Sequence, residues 1–290
     1  MLENRATLHQ LRFHLLAELR KRYSENESGS ITRLILEHCG FPLSVCLREP
    51  DKITPSQVIT QINHIIEEIH VGRPIQHILG FTQFCELTIG VNGDVLIPRP
   101  ETEALVYRIL SSQDQAYSKI IDLGTGSGCI ALALKKQFPE ADVLGLDLSR
   151  QALSVAEQNA KLNHLDVEWL QRDLRDLPAL KELKDQKEGF DLVVSNPPYV
   201  RESEQKLMEE QVLDYEPHQA LFVSDQDPLF YYRSILYFCN TFLLKGGHLW
   251  VEINEAFGQE TASLFKTGGL KQVEVKKDIH EKDRFIHARK

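Results

Sequence analysis

Apolar residues recur at two periods along the chain, and the change of period divides it. Leu8, Leu11, Leu15 and Leu19 lie three or four apart, one face of a helix that ends in the basic run Arg20-Lys21-Arg22. The polar stretch Ser24–Ser30 contains Gly29 and reads as a loop. The apolar stretch Ile31–Cys39 then stops at Gly40, a helix C-cap. Thr54-Pro55-Ser56-Gln57 reads as a capping box with proline just inside the helix. Behind it Val58, Ile62, Ile65, Ile66 and Ile69 keep helical spacing up to Gly72. Residues 1–72 are therefore expected to form a small helical bundle.

Residues 73–98 lose that spacing. Thr88-Ile89 and Val95-Leu96-Ile97 flank Val91-Asn92-Gly93-Asp94, and Asn-Gly between apolar runs predicts a β-hairpin. This hairpin would link two domains. Pro98-Arg99-Pro100 follows as an extended turn. From residue 119 short apolar runs alternate with amphipathic ones. Strands are expected at Lys119–Leu123, Asp142–Leu148, Val167–Arg172, Phe190–Ser195, Gly247–Ile253, Gln272–Lys276 and Arg284–Ala288. Helices are expected at Ser127–Gln137, Arg150–Leu162 and most of Asp227–Thr241. Such alternation means an α/β domain over residues 99–290, a parallel sheet with helices on both faces. Lys181–Glu188 and Arg201–Glu210 read as long surface loops.

Charge narrows the function classes. The chain has 290 residues and a net charge of −9. Residues 1–75 carry nine Lys/Arg and nine Asp/Glu, so the excess lies in residues 76–290, with 24 against 33. Gripping duplex nucleic acid needs a cation for each phosphate contact, so this balance weighs against that role. The longest apolar runs fall short of the ~20 residues of a membrane helix. Met1-Leu2-Glu3-Asn4-Arg5 shows no basic region followed by an apolar core, so a cytoplasmic location is expected. Cysteines number five, and no C-x-x-C pair occurs. Reduced, buried thiols are therefore expected rather than a disulfide framework or a zinc site.

Two constellations carry chemistry. The first is Asp122-Leu123-Gly124-Thr125-Gly126-Ser127-Gly128, a strand running into a glycine turn that opens a helix. Such glycines let a nucleotide cofactor approach the main chain. Asp147 ends the next strand, at the spacing of a carboxylate that accepts hydrogen bonds from a ribose diol. The pattern is G-x-G-x-G rather than the G-x-G-x-x-G of dinucleotide sites. It leans toward S-adenosylmethionine, which has no phosphate, but by itself leaves a nicotinamide cofactor open. The second is Asn196-Pro197-Pro198-Tyr199 after the strand Phe190–Ser195. Two prolines have no N–H, so the Asn196 side-chain oxygen and the Pro197 carbonyl become acceptors in a stiff frame. They suit a substrate with a planar –NH₂ group, against which the Tyr199 ring can pack. Parallel-sheet geometry brings both constellations to one cleft. No catalytic Asp or His is assigned, and His280 and His287 read as surface or strand histidines.

These residues resemble the peptide chain release factor glutamine methyltransferase family. So do Gly72-Arg73-Pro74-Ile75-Gln76, Leu96-Ile97-Pro98-Arg99-Pro100-Glu101-Thr102-Glu103 and Tyr215-Glu216-Pro217 with Ala220-Leu221. Leu244-Lys245-Gly246-Gly247 and Lys277-Asp278 with Asp283-Arg284-Phe285 complete the match, which runs from residue 72 onward. The chain departs from the family pattern at His77, Val223-Ser224, Pro228 and Glu281. The resemblance implies a seven-stranded methyltransferase sheet whose last strand is antiparallel. It implies S-adenosylmethionine as cofactor, held by Gly124, Thr125, Gly126, Ser127, Gly128 and Asp147, with Leu174 beside the adenine. It implies Asn196, Pro197, Pro198 and Tyr199 around the substrate, with Asn196 between cofactor and substrate. That substrate would be the glutamine of the Gly-Gly-Gln loop in release factors, and the N-terminal bundle is the candidate grip on that protein partner. A monomer without direct nucleic-acid or membrane contact is expected.

The alternatives are an adenine amino-methyltransferase acting on nucleic acid, a glutamine methyltransferase of a ribosomal protein, a binding module without turnover, and an NAD oxidoreductase. The acidic residues 76–290 and the match at Pro98–Glu103 disfavour the first. Pro98–Glu103 also follows the release-factor pattern rather than the ribosomal one. The last two leave Asn196–Tyr199 unexplained.

Overall fold

The computed structural model describes residues 5–112, 117–176 and 189–290. The charged stretch Lys181–Glu188 lies outside the described residues. The chain divides into two compact units, one of Met1–Gly80 with Glu210–Tyr215, the other of Phe81–Glu209 with Glu216–Lys290.

The first unit is helical because its apolar stripes can be buried only against one another. Helix α1 (Leu8–Leu19) buries Leu8, Leu11, Leu15 and Leu19, the stripe read from the sequence. Helix α2 (Glu25–His38) begins inside the stretch expected to be a loop. Ser24 and Glu27 form a reciprocal capping box that starts the helix there, and Gly29 is carried within it. Gly40 ends the region in a left-handed conformation, φ 82°. Helices α3 (Leu43–Arg48), α4 (Ser56–His70) and α5 (Ile75–Leu79) complete the run before residue 80. In α4 the capping box is not made. Pro55 takes the cap position, while the Thr54 backbone N–H is committed to Ala6 O at 2.8 Å. Ile59, rather than Val58, joins the buried face.

The second unit opens with the hairpin β1 (Phe81–Phe84) and β2 (Leu87–Gly90). Its turn is Cys85-Glu86, one connection earlier than the Asn92-Gly93 turn expected. Both turn residues have positive φ, 46° and 59°, as a two-residue hairpin turn needs. Tertiary contacts hold them there: the Cys85 N–H donates to Glu103 Oε1 at 2.6 Å, and Lys136 Nζ donates to the Glu86 carbonyl at 3.1 Å. Asn92 does make a local turn, its Oδ1 accepting from the Asp94 N–H. Residues 95–97 then form no strand, because the Ile97 N–H goes to the buried Glu216 carboxylate at 3.0 Å. Helix α6 (Pro100–Ser111) follows with Pro100 at its first turn, where the missing N–H is no loss.

Strands β3 (Lys119–Leu123), β4 (Asp142–Asp147), β5 (Glu168–Gln171) and β6 (Phe190–Ser195) are parallel. Helices α7 (Cys129–Gln137) and α8 (Arg150–Leu162) follow β3 and β4. The stretch Arg201–Glu210, expected as a loop, contains a 3-10 helix at Glu202–Leu207, capped by Glu204 accepting from the Arg201 N–H. Strands β7 (Val200–Arg201) and β8 (Phe222–Val223) make a separate two-stranded pair. Helices α9 (Glu210–Tyr215) and α10 (His218–Leu221) lie between them in sequence, α9 belonging to the first unit.

After α11 (Phe230–Phe242) come β9 (Leu243–Glu252), α12 (Gly258–Thr267), β10 (Lys271–Lys277) and β11 (Asp283–Arg289). The seven-stranded order is β10-β11-β9-β6-β3-β4-β5. The last strand, β11, is antiparallel to both its neighbours. Apolar clusters cover both faces of this sheet, as continuous strand burial requires.

Candidate active site

The chain leaves β3 toward β4 on one side and returns through β6 on the other. The carboxyl ends of these strands therefore border a topological switch point, where open parallel sheets bind ligands. A cleft of about 380 Å³ opens there. Gly124–Ser127, Asp147, Leu174 and Asn196–Pro198 line it together, with Arg99, Thr102 and Tyr231 among the further walls.

The glycine turn is sewn to the neighbouring strand. The N–H groups of Gly124 and Thr125 both donate to Leu146 O, at 2.8 and 2.9 Å. Gly124 and Gly126 have φ of 74° and 54°, and a Cβ on either would meet nothing within 4 Å. Glycine is required there by backbone conformation, and the vacated space faces open cleft. Gly128 also has positive φ, but its reason is packing: a Cβ would sit 2.8 Å from Trp169 and 3.0 Å from Ala156. Asn159, buried on α8, braces the turn from behind by donating to Ser127 O at 2.9 Å.

Two carboxylates set the local electrostatics. Asp122, fully buried, accepts from Thr125 Oγ1 at 2.6 Å. Burial pushes its pKa up to about 7, against the opposing Thr125 hydroxyl and Ala131 N–H. Asp147 accepts from the Gly126 N–H at 2.8 Å and from the Ser149 N–H at 2.9 Å. Burial raises its pKa as well, opposed by those same N–H groups. Each carboxylate oxygen retains a lone pair, so Asp147 can still accept hydroxyl hydrogens from a ligand. Leu174 is buried at the cleft wall, after Asp173, which Arg175 pairs at 2.8 Å.

Asn196 follows β6 directly. Its Nδ2 donates to Thr102 Oγ1 at 2.9 Å, and Thr102 donates to Glu252 Oε2 at 2.9 Å. Among the described residues none donates to Asn196 Oδ1 or to the Pro197 carbonyl. Both residues line the cleft. Pro198 lines the cleft, whereas Tyr199 is not among the lining residues. The Tyr199 hydroxyl donates to Glu252 Oε1 at 2.8 Å, and burial together with that carboxylate holds its pKa well above the ordinary tyrosine value.

His280 and His287 lie outside the cleft lining. His287 sits in β11, stacked on Trp250, and burial pushes its pKa down to about 4. Burial raises the Cys85 and Cys129 thiols to about 12, so neither is a nucleophile near neutral pH.

The motifs missed Arg99, Thr102, Glu216 and Glu252 as site residues. Glu216 joins Arg99 Nη2 at 2.5 Å and the Ile97 N–H, fixing one wall of the cleft. The one local signal for Glu252 is a lone acid in the apolar run Leu249–Ile253.

The sequence model described as methyltransferase small domain matches residues 101–219. A release factor glutamine methyltransferase of Flavobacterium psychrophilum is 40% identical over 270 residues, 91% of this chain and 92% of that one. This chain belongs to the release factor glutamine methyltransferase family. The homologous family member of Bacteroides thetaiotaomicron is 40% identical over 228 residues, 79% of this chain and 80% of its own length. A crystal structure of a methyltransferase from Pyrococcus furiosus shares the fold at TM-score 0.50 and 14% identity, covering 81% of this chain and 98% of that one. The seven-stranded sheet is accordingly a methyltransferase sheet, as the resemblance implied. No helix among the described residues is long and apolar enough to cross a membrane.

Proposed function

We propose that this protein transfers a methyl group from S-adenosylmethionine to the side-chain amide nitrogen of the glutamine in the Gly-Gly-Gln loop of a release factor. The observation that carries this reading is the free acceptor pair, Asn196 Oδ1 and the Pro197 carbonyl, beside the glycine turn in one cleft. Membership of the family supports the choice of a protein glutamine over other –NH₂ substrates.

The residues present fit the cofactor. Gly124 and Gly126 leave open space above the turn, Asp147 offers lone pairs to a ribose diol, and Leu174 offers an apolar wall to an adenine. Bound there, S-adenosylmethionine supplies a methyl group made electrophilic by its sulfonium. A glutamine amide is a weak nucleophile because its nitrogen lone pair is delocalised into the carbonyl. Asn196 and Pro197 counter this by accepting from its two N–H bonds. That grip favours the tetrahedral geometry and positive charge which develop on nitrogen during attack. The product proton is very acidic and leaves without a strong base.

Asn196→Ala tests the reading. It should lower kcat by ~10²–10³, the usual effect of one preorganised polar contact, while S-adenosylmethionine still binds. Near-wild-type turnover with binding intact would refute it. The first structural unit, none of whose described residues lines the cleft, is the proposed recognition element for the release factor.

A further inference from the structure

We propose that Thr102 and Glu252 are positioning residues that decide which end of the Asn196 amide faces the cleft. This rests on the reading that Asn196 accepts from the substrate amide. The two ends of an asparagine amide have almost the same shape, but one accepts and the other donates. If the –NH₂ end faced the cleft, it would oppose the substrate N–H instead of accepting from it.

A chain of hydrogen bonds runs from the protein interior to the cleft. Glu252 is 1% exposed. As a carboxylate it can only accept, and it takes Tyr199 Oη at Oε1 and Thr102 Oγ1 at Oε2. A threonine hydroxyl has one proton. Once that proton is committed to Glu252, Thr102 can offer Asn196 only lone pairs. It therefore holds the Nδ2 end, at 2.9 Å, and Oδ1 is left for the cleft. A neutral Glu252 with its proton toward Thr102 would reverse the order, because Thr102 would then donate to Asn196 Oδ1. The groups bearing on the Glu252 charge come from several elements. Burial pushes the Glu252 pKa above the ordinary carboxylate value and Glu101 on α6 adds to it, while Tyr199 and Thr102, by donating, and Arg284 on β11, by charge, oppose that rise. Three segments far apart in sequence thus converge to set one amide rotamer.

The test is steady-state kinetics with calorimetric S-adenosylmethionine binding and apo-protein melting, on the full chain. Thr102→Val keeps the shape of the side chain and removes the acceptor. It should lower kcat on the order of 10- to 100-fold with cofactor affinity unchanged, and Thr102→Ser should restore turnover. Glu252→Gln approaches from the other end. Tyr199 would take the amide oxygen, leaving –NH₂ against Thr102, so kcat should fall in the same way. In an Asn196→Ala background neither substitution should lower kcat further, whereas a merely structural role would add its own loss. Wild-type kcat in Thr102→Val, or losses that add to that of Asn196→Ala, would overturn the proposal. If Asn196→Ala itself turned over normally, the underlying reading would fail; if it did not, and Thr102→Val did, the positioning role alone would fail.

Discussion

Asp147 has two tasks in this structure, and replacing it separates them. Its carboxylate holds the glycine turn by accepting from the Gly126 and Ser149 N–H groups, at 2.8 and 2.9 Å. On the functional reading it also accepts from the cofactor ribose. In Asp147→Ala the free protein loses both backbone contacts. Hydrogen bonds to a charged group contribute about 1.5–3 kcal/mol each, but the N–H groups released at the cleft can turn to water. Burial also disfavours the Asp147 charge, so part of that contribution is already spent on desolvation. A net loss of about 1–2 kcal/mol in the apo protein is expected. Losing the ribose contacts should weaken S-adenosylmethionine binding by about 1.5–3 kcal/mol, roughly 10- to 150-fold in Kd. Isothermal calorimetry reads the second effect and denaturant unfolding of the apo protein the first. Unchanged affinity in a folded variant would remove Asp147 from the cofactor site. A loss of affinity under about 1 kcal/mol beside a measured loss of apo stability would refute the direct contact and leave Asp147 as a brace for the turn.

Asn159 accepts from the Gly90 N–H at 2.7 Å and donates to Gly90 O and Ser127 O. Three bonds from one buried side chain at about 1 kcal/mol each make Asn159→Ala about 3 kcal/mol less stable by denaturant unfolding; a loss under about 1 kcal/mol would show that Asn159 does not tie the turn and the hairpin to α8. Asp122 is raised from 3.8 to about 7, so between those values the folded state binds the proton that the unfolded state has released. Its contribution to stability is therefore lost as pH rises through that window, and apo melting temperatures of wild type and Asp122→Asn should shift in favour of the variant over the same range. A difference independent of pH would contradict the buried charge. A chain starting at Phe81 should keep S-adenosylmethionine affinity but lose methylation of intact release factor; full activity in that truncation would remove the helices before residue 81 from recognition.

Much of the fold was legible because it is dictated locally. Lys119–Leu123, Phe190–Ser195 and Arg150–Leu162 have in the structure the bounds read from the sequence, since short buried strands and an amphipathic helix each have their own period. The hairpin was not legible at Cys85-Glu86. Neither residue favours positive φ, and the turn is held by Glu103 and Lys136 from elsewhere. Helix α6 was hidden by Pro98-Arg99-Pro100, which reads as extended although Pro100 serves as a helix start. Gly29 likewise masked the beginning of α2, where the cap at Ser24 outweighs one glycine inside.

The site divides in the same way. The glycine turn, Asp147 and Asn196–Pro198 are tied to strand ends, so motif and spacing placed them in one cleft. Thr102 and Glu252 stand 150 positions apart and meet through a single hydrogen bond, which no local pattern encodes. Tyr199 illustrates the limit from within a motif. Its position was legible, but the direction of its hydroxyl toward Glu252 depends on β9.

The protein is incubated with methyl-labelled S-adenosylmethionine and, in parallel, an intact release factor, its Gly-Gly-Gln Gln→Ala variant, a ribosomal protein and an oligonucleotide, and the label is placed by fragment mass spectrometry. One methyl group is expected on the side-chain amide of that glutamine, in the unaltered release factor alone. Label on the oligonucleotide or the ribosomal protein, or label retained by the Gln→Ala variant, would contradict it.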